Sequence, residues 1–244
     1  MNGTLREAWR TVVPERNDRH GPLQPLMLML TVVTGLVDAF SYLNLGHVFV
    51  ANMTGNVVFA GFAISGVSGF SLVATVVTVA AFATGALLGG RIVRGGRPHR
   101  AEILYHAMVL QVLLVGAAFV VAEVSGTPGN AGTRYPLLIL LGLGMGVQNA
   151  ATRTLAVPDL TTTVLTLTIT GTAADSRLAG GPGSKAGRRL LSVTAMFLGA
   201  FVGAILLRGG RHAIPLLLAT ALLMVVCLTA RRLTRSSAPW TQTL

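Results

Sequence analysis

The chain has 244 residues, of which 52% are hydrophobic and only 11% charged, with a mean hydropathy of +0.68. So few polar side chains cannot cover a water-facing surface, which excludes a soluble enzyme, a disordered chain and a collagen-like fibre. The formal net charge of +11 does not point to nucleic acid either, because the 19 basic residues form short clusters between long apolar runs, as a bilayer requires. The expected class is all-α, a polytopic transmembrane helix bundle.

In chain order, residues 1–25 are mixed in charge (Arg6, Glu7, Arg10, Glu15, Arg16, Asp18, Arg19), end on Pro22 and Pro25, and read as a short cytoplasmic lead. The apolar run 26–45 is long enough to span and is followed by no small-x-small cleavage site, so it reads as a retained first span and not as a removed signal peptide. Seven more apolar stretches lie near 48–64, 70–90, 101–124, 136–154, 159–174, 189–207 and 213–230, before a cytoplasmic tail over 232–244. The second and sixth stretches differ from the rest. They are short and interrupted, by Asn52-Met53-Thr54-Gly55-Asn56 in one and by Thr161, Thr162, Thr163, Thr166, Thr168, Thr170 and Gly171 in the other. The single cysteine, Cys227, lies in the last run and reads as a small buried hydrophobe, with no disulfide or thiolate chemistry available to it.

The chain repeats itself. Gly85-Ala86-Leu87-Leu88-Gly89 with Arg94-Gly95-Gly96-Arg97 recurs, 114 residues on, as Gly199-Ala200-Phe201-Val202-Gly203 with Arg208-Gly209-Gly210-Arg211. Asp38-Ala39 pairs with Asn149-Ala150 at an offset of 111, and Thr54 with Thr166 at 112. One membrane domain over 26–231 is therefore expected, made of repeat one, 26–124, and repeat two, 136–231. Eight crossings with the N-terminus inside would put 12 lysines and arginines inside and 7 outside; if stretches two and six dip in and return, the count becomes 16 to 3. The second arrangement fits the positive-inside bias better. It predicts six full spans plus two short re-entrant segments, and three crossings per half turn the halves into an inverted repeat, although the repeated Arg-Gly-Gly-Arg corner then falls on opposite sides.

Polar groups at membrane depth are the first functional candidates. Asp38 is the only acidic residue well inside an apolar stretch. It reads either as a site for a proton, cation or substrate amine, or as an acceptor that pins the neighbouring short helix. Asn52, Thr54, Gly55 and Asn56 would loosen a helix at membrane depth, which is tolerated where protein or a watery cavity satisfies the backbone. Gln148 and Asn149, with Thr162 and Thr166, are their counterparts in the second half. Two half-helices meeting near the midplane would offer N–H groups to a polar solute; the alternative is that these side chains only bond neighbouring helices. The glycine pairs Gly85/Gly89 and Gly199/Gly203, and Gly142-Leu143-Gly144-Met145-Gly146, read as close-packing surfaces, since no βαβ unit surrounds the latter. No catalytic constellation is present, so an enzyme is not expected, nor is a metal or other cofactor.

The stretch Gly35-Leu36-Val37-Asp38-Ala39-Phe40-Ser41-Tyr42-Leu43, followed by Val48-Phe49-Val50-Ala51-Asn52-Met53-Thr54-Gly55-Asn56-Val57-Val58, resembles the YoaK-type family of bacterial membrane proteins, with a weaker likeness at Gly146-Val147-Gln148-Asn149-Ala150. The resemblance implies a multi-pass protein of the bacterial cytoplasmic membrane and brings no biochemical activity with it. The reading is a small-solute transporter whose site lies between the two interrupted segments, or else a non-transporting scaffold or sensor. Its expected partners are the lipid bilayer, a small polar solute and, in an oligomer, further copies of itself, with no nucleic acid.

Overall fold

The structure, a computed structural model, describes residues 3–15, 18–95, 99–126, 130–160, 165–176, 179–181 and 186–241. Among them the regular elements are helical: α1 (Gly3–Val12), α2 (Leu23–Asn44), α3 (Met53–Ile64), α4 (Leu72–Arg94), α5 (Arg100–Ser125), α6 (Ala131–Leu155), α7 (Leu165–Ala174), α8 (Ala186–Arg208) and α9 (Ile214–Leu233), with a short 3-10 turn at Pro239–Thr241. In hydrocarbon every backbone N–H and C=O needs a partner, so apolar segments of this length close their hydrogen bonds internally as helices. Five of them, α2, α4, α5, α8 and α9, are long and apolar enough to cross a membrane. α6 matches them in length at 25 residues, but carries Gln148 and Asn149.

Two helix pairs set the architecture. Along α4 and α6, Gly142 faces Thr78 and Ala81, Gly146 faces Phe82 and Ala86, and Gly89 faces Val147 and Ala150. Numbers rise together on both helices, so the two run in the same direction. The second pair repeats the first: Gly35 faces Met196 and Ala200, Gly199 faces Val32, and Gly203 faces Leu36 and Ala39. The contacts of Gly85, Gly89 and Gly146 map onto those of Gly199, Gly203 and Gly35 by the offsets of 111 and 114, so the first long helix of each half packs on the third element of the other half. A Cβ at Gly146 would lie 2.7 Å from Ala86 N, and one at Gly35 would lie 2.7 Å from Ala200 N. Backbones this close leave no room for any side chain, which is how small residues hold helices together where lipid provides no hydrophobic drive. α5 packs between α6 and α9, with Gly116 against Thr220.

The chain termini are tied in at one end of the bundle. Arg100, only 2% exposed, donates to the carbonyls of Arg19 and Trp240 at 3.4 Å and to that of Leu155, and its guanidinium faces His20 Nδ1 at 3.3 Å. One side chain thus joins the entry to α2, the start of α5, the end of α6 and the segment after α9. Gly21, at φ +43, allows the turn on which the Trp240 indole sits. Asp18 fastens the same turn by accepting from the amides of His20 (2.7 Å) and Gly21 (3.1 Å) and from the Gln24 side chain (2.8 Å). Burial alone would raise its carboxyl pKa, but these hydrogen bonds hold it below the usual range. α1 docks nearby, with Gly187 N–H donating to Glu7 at 3.1 Å. The lead expected over residues 1–25 therefore contains a packed helix.

At the opposite end Arg134, at the start of α6, donates to Gly46 O at 3.5 Å, beyond the end of α2. Tyr42, His47, Phe49, Phe59, Phe62 and Phe70 form an aromatic cluster there, including a stacked Tyr42–Phe49 pair at 4.9 Å, that holds α3 against the ends of α2 and α4.

Gly85→Leu and Gly199→Leu should each destabilise the protein by about 1–3 kcal/mol through overpacking, whereas Gly90→Leu, whose Cβ meets nothing within 4 Å, should not. Thermal unfolding in detergent measures this, and equal melting temperatures for all three variants would contradict the seam. The Arg100 knot should also be acid-sensitive. Burial, reinforced by the Arg100 charge, lowers the His20 pKa from its ordinary 6.5, and the contact with Arg100 needs an unprotonated Nδ1. A depressed histidine gives up stability as pH falls from the unfolded value towards the folded one. The wild-type melting temperature should therefore drop on acidification below pH 6.5, and His20→Gln should flatten that drop.

Candidate functional site

Asp38 sits on the last third of α2, 4% exposed, where its chain turns towards α3. One carboxylate oxygen accepts from the amides of Val50 at 3.0 Å and Ala51 at 2.9 Å; the other accepts from the Asn52 side chain. Asn52 occupies the position before the first turn of α3, so the carboxylate lies near the positive end of that helix, a favourable place for an anion. Asn56, fully buried, grips the same loop by accepting from Phe49 N at 2.9 Å and donating to Phe49 O. Together these residues fasten segment 49–52 to α2 and α3. The motif Asn52–Asn56 begins a helix instead of interrupting one. Gly55 packs on the Phe49 ring, and Thr54 is exposed.

The second half places its candidates differently. Gln148, fully buried, accepts from Gln111 Nε2 at 2.7 Å and donates to Thr34 Oγ1 at 3.0 Å, a polar chain joining α5, α6 and α2 in the bundle core. Gln111 Oε1 in that chain has no partner among the described residues. Asn149 points away from this chain, donating to Met145 O at 2.9 Å and lining a cavity between α4 and α6. Thr166 is an exposed residue of α7, and Thr162, like Thr161 and Thr163, lies outside the described residues. α7 is held by Arg189, which bridges Asp159 at 2.9 Å and Asp175 at 2.8 Å. The structure thus brings Asp38, Asn52 and Asn56 together at one end of the bundle, and sets Gln148 and Asn149 on other faces.

Two cavities flank the helix seams in matched positions. The larger, of about 890 Å³, opens between α4, α6 and the segment after α6. The smaller, of about 380 Å³, opens between α2, α8 and the segment before α3. On the first helix of each half, Asp38, Ala39, Tyr42 and Leu43 line the small cavity where Asn149, Ala150, Arg153 and Thr154 line the large one. On the partner helix, Met196, Ala200 and Ala204 correspond to Phe82, Ala86 and Gly90. Volumes of this order hold small molecules. The sequence reading had Asp38, Asn52 and Asn149 but missed the walls: Arg94 was read there as part of the repeat and as a topological charge, Arg153 as a topological charge and a candidate loop partner for Asp38, and Gln111 was one polar residue in an apolar run, the same signal that marks Asp38.

If Asp38 and Asn56 are anchors, removing either frees segment 49–52. Asp38→Ala leaves two amides without a partner, at about 1–3 kcal/mol each. In a Cys227→Ser background, a cysteine at Val50 should become reactive towards thiol reagents with Asp38→Ala or Asn56→Ala, and stay protected with Thr54→Val. Protection persisting in all three would remove the anchoring role.

Comparison with known proteins agrees with a multi-pass membrane protein. The chain is 32% identical over 146 residues to the UPF0700 transmembrane protein YoaK of Bacillus subtilis (strain 168), a match covering 59% of this chain and 63% of that protein, so it spans somewhat under two thirds of the relative's length. No solved structure matches. Residues 26–229 match the family model described as protein of unknown function (DUF1275), which takes in the bundle from α2 into α9. The chain therefore belongs to the DUF1275 family, as a multi-pass, helical membrane protein.

Proposed function

We propose that this protein is a small-solute transporter of the bacterial cytoplasmic membrane with both termini in the cytoplasm. Its six spans are α2, α4, α5, α6, α8 and α9, in two inverted repeats, with α3 and α7 dipping in from opposite sides. Contacts at the helix ends support this layout: the start of α2 lies with the start of α5 and the end of α6 around Arg100, while the end of α2 lies with the start of α6 at Arg134. That layout separates the 16 basic residues of the inside count from Arg134, Arg208 and Arg211.

The observation that carries the transporter reading is the pair of matched cavities beside the two seams, one towards each end. A carrier must offer its site to each side in turn, and a pseudo-twofold pair of helix seams provides two equivalent ways to open. A solute would enter between α4 and α6 from the cytoplasm and between α2 and α8 from outside, with Asp38, Asn52 and Asn149 as polar contacts. The direct Gln111–Gln148–Thr34 chain favours the second reading, a scaffold whose polar groups hold helices together.

Single cysteines in a Cys227→Ser background test the topology: position 67 should label in intact cells, and position 95 only after permeabilisation. Uptake into reconstituted vesicles across a panel of small metabolites tests the function. Gly90→Leu and Ala204→Leu fill equivalent positions of the two cavities, so either should stop transport in both directions. A wild-type protein inert across the panel, or labelling at 95 without 67 in intact cells, would count against the proposal.

A further inference from the structure

The two cavities match in position but not in size or charge. The α2/α8 cavity holds one carboxylate, Asp38, already engaged by three donors. The α4/α6 cavity holds two guanidinium groups, Arg94 and Arg153, and no acidic residue among its described lining residues. Arg94 and Arg153 are both exposed and neither has a hydrogen bond or ion pair with any described residue, whereas the buried Arg100 is fully engaged. The position equivalent to Arg153 in the other half is Tyr42, so this charge is not demanded by the helix seam, which both halves share.

The rest of the wall is mainly apolar: Phe82, Ala86, Val93, Ala150, Val157 and Pro158. A second pocket, along α4 and carrying Leu87 and Arg91, shares Ala86, Gly90 and Arg94 with the cavity and continues from it as a groove. Two guanidinium groups beside one apolar wall attract an anion, and their planar forks suit carboxylate or phosphate oxygens. The apolar wall rewards a ligand with a hydrocarbon body.

We propose that the α4/α6 cavity binds an amphiphilic organic anion, with its carboxylate or phosphate between Arg94 and Arg153 and its apolar body against Phe82 and Val157. As a statement of what is carried, this rests on the transporter reading; as a statement of binding, it stands without it. A soluble organic anion and the headgroup of an anionic lipid share this chemistry, and the groove along α4 would admit the second.

The test is the melting temperature of the full chain in an uncharged detergent, titrated with hexyl phosphate, hexanol and hexylamine. Hexyl phosphate should give a saturable rise of several degrees, and the other two none. Each arginine replaced by glutamine should weaken the half-saturating concentration about tenfold. Arg94→Lys with Arg153→Lys should retain part of the shift, Arg91→Gln all of it, and Gly90→Leu, which narrows the cavity without a clash, should reduce it. The unliganded melting temperature shows which variants are folded. In nanodiscs, loss of the hexyl phosphate shift on adding phosphatidylglycerol to phosphatidylcholine would identify a lipid occupant, and an unchanged shift a soluble one. Equal shifts from hexanol and hexyl phosphate, or a full shift in folded Arg94→Gln/Arg153→Gln, would overturn the proposal. Binding of hexyl phosphate by a protein whose vesicles carry nothing would sink the transporter reading alone. Uptake of only neutral or cationic solutes, with no hexyl phosphate shift, would sink the anion site alone.

Discussion

The direct contact of helix backbones along two seams, α2 on α8 and α4 on α6, is the constraint on which the rest of the fold depends. In a bilayer the apolar side chains gain nothing by leaving lipid for protein, so helices must be held by close packing and polar contacts. Gly35, Gly85, Gly146 and Gly199 supply the packing by leaving backbone atoms of the facing helix where a Cβ would stand. Because each seam joins the first long helix of one half to the third element of the other, neither half can form its seam alone. The halves are interleaved, and the cavities follow from this: Ala86 and Gly90 line one cavity and directly follow Gly85 and Gly89 in the seam, as Ala200 and Ala204 follow Gly199 and Gly203.

Outside the seams the halves have diverged. Asp38 and Asn149 occupy equivalent positions, yet one carboxylate pins a loop and the other side chain bonds within its own helix. The short helices are fastened by different chemistry too. α3 hangs from hydrogen bonds to Asp38 and Asn56 and from stacked rings, whereas α7 hangs from Arg189 between Asp159 and Asp175. What both halves share is steric and what separates them is electrostatic.

That division explains how far the sequence could be read. The eight apolar stretches became α2 to α9, because hydrocarbon leaves an apolar chain little choice but helix. The repeat was visible at the glycines because no other residue satisfies a seam with no room for a Cβ, while the apolar positions around them tolerate exchange and so lost their likeness. Asp38, Asn52 and Asn56 stood out as polar residues in apolar surroundings, but their task did not. The partners of Asp38 include the amides of Val50 and Ala51, which any non-proline residues would provide. Gln148 was equally visible, whereas its coupling to Gln111 and Thr34 depends on how three separate helices rotate. α1 went unseen because its docking rests on a backbone contact at Gly187.

The near-identity of the seams also bears on how such a bundle could move. If the two seams alone decided the energy, opening at one end would cost the same as opening at the other, and neither state would be preferred. The preference must then come from the parts that are not repeated. At one end these are the Asp38–Asn52–Asn56 anchors and the aromatic cluster, which fix segment 49–52 in the wall of the smaller cavity. At the other end the Arg100 knot ties α5, the end of α6 and the segments before α2 and after α9, while Arg94 and Arg153 beside the larger cavity have no acidic partner among the described residues. The larger cavity is the one whose arginines lack partners among the described residues, so an anionic ligand would gain most there, and any difference in energy between the two ends has to come from contacts outside the repeated helix seams.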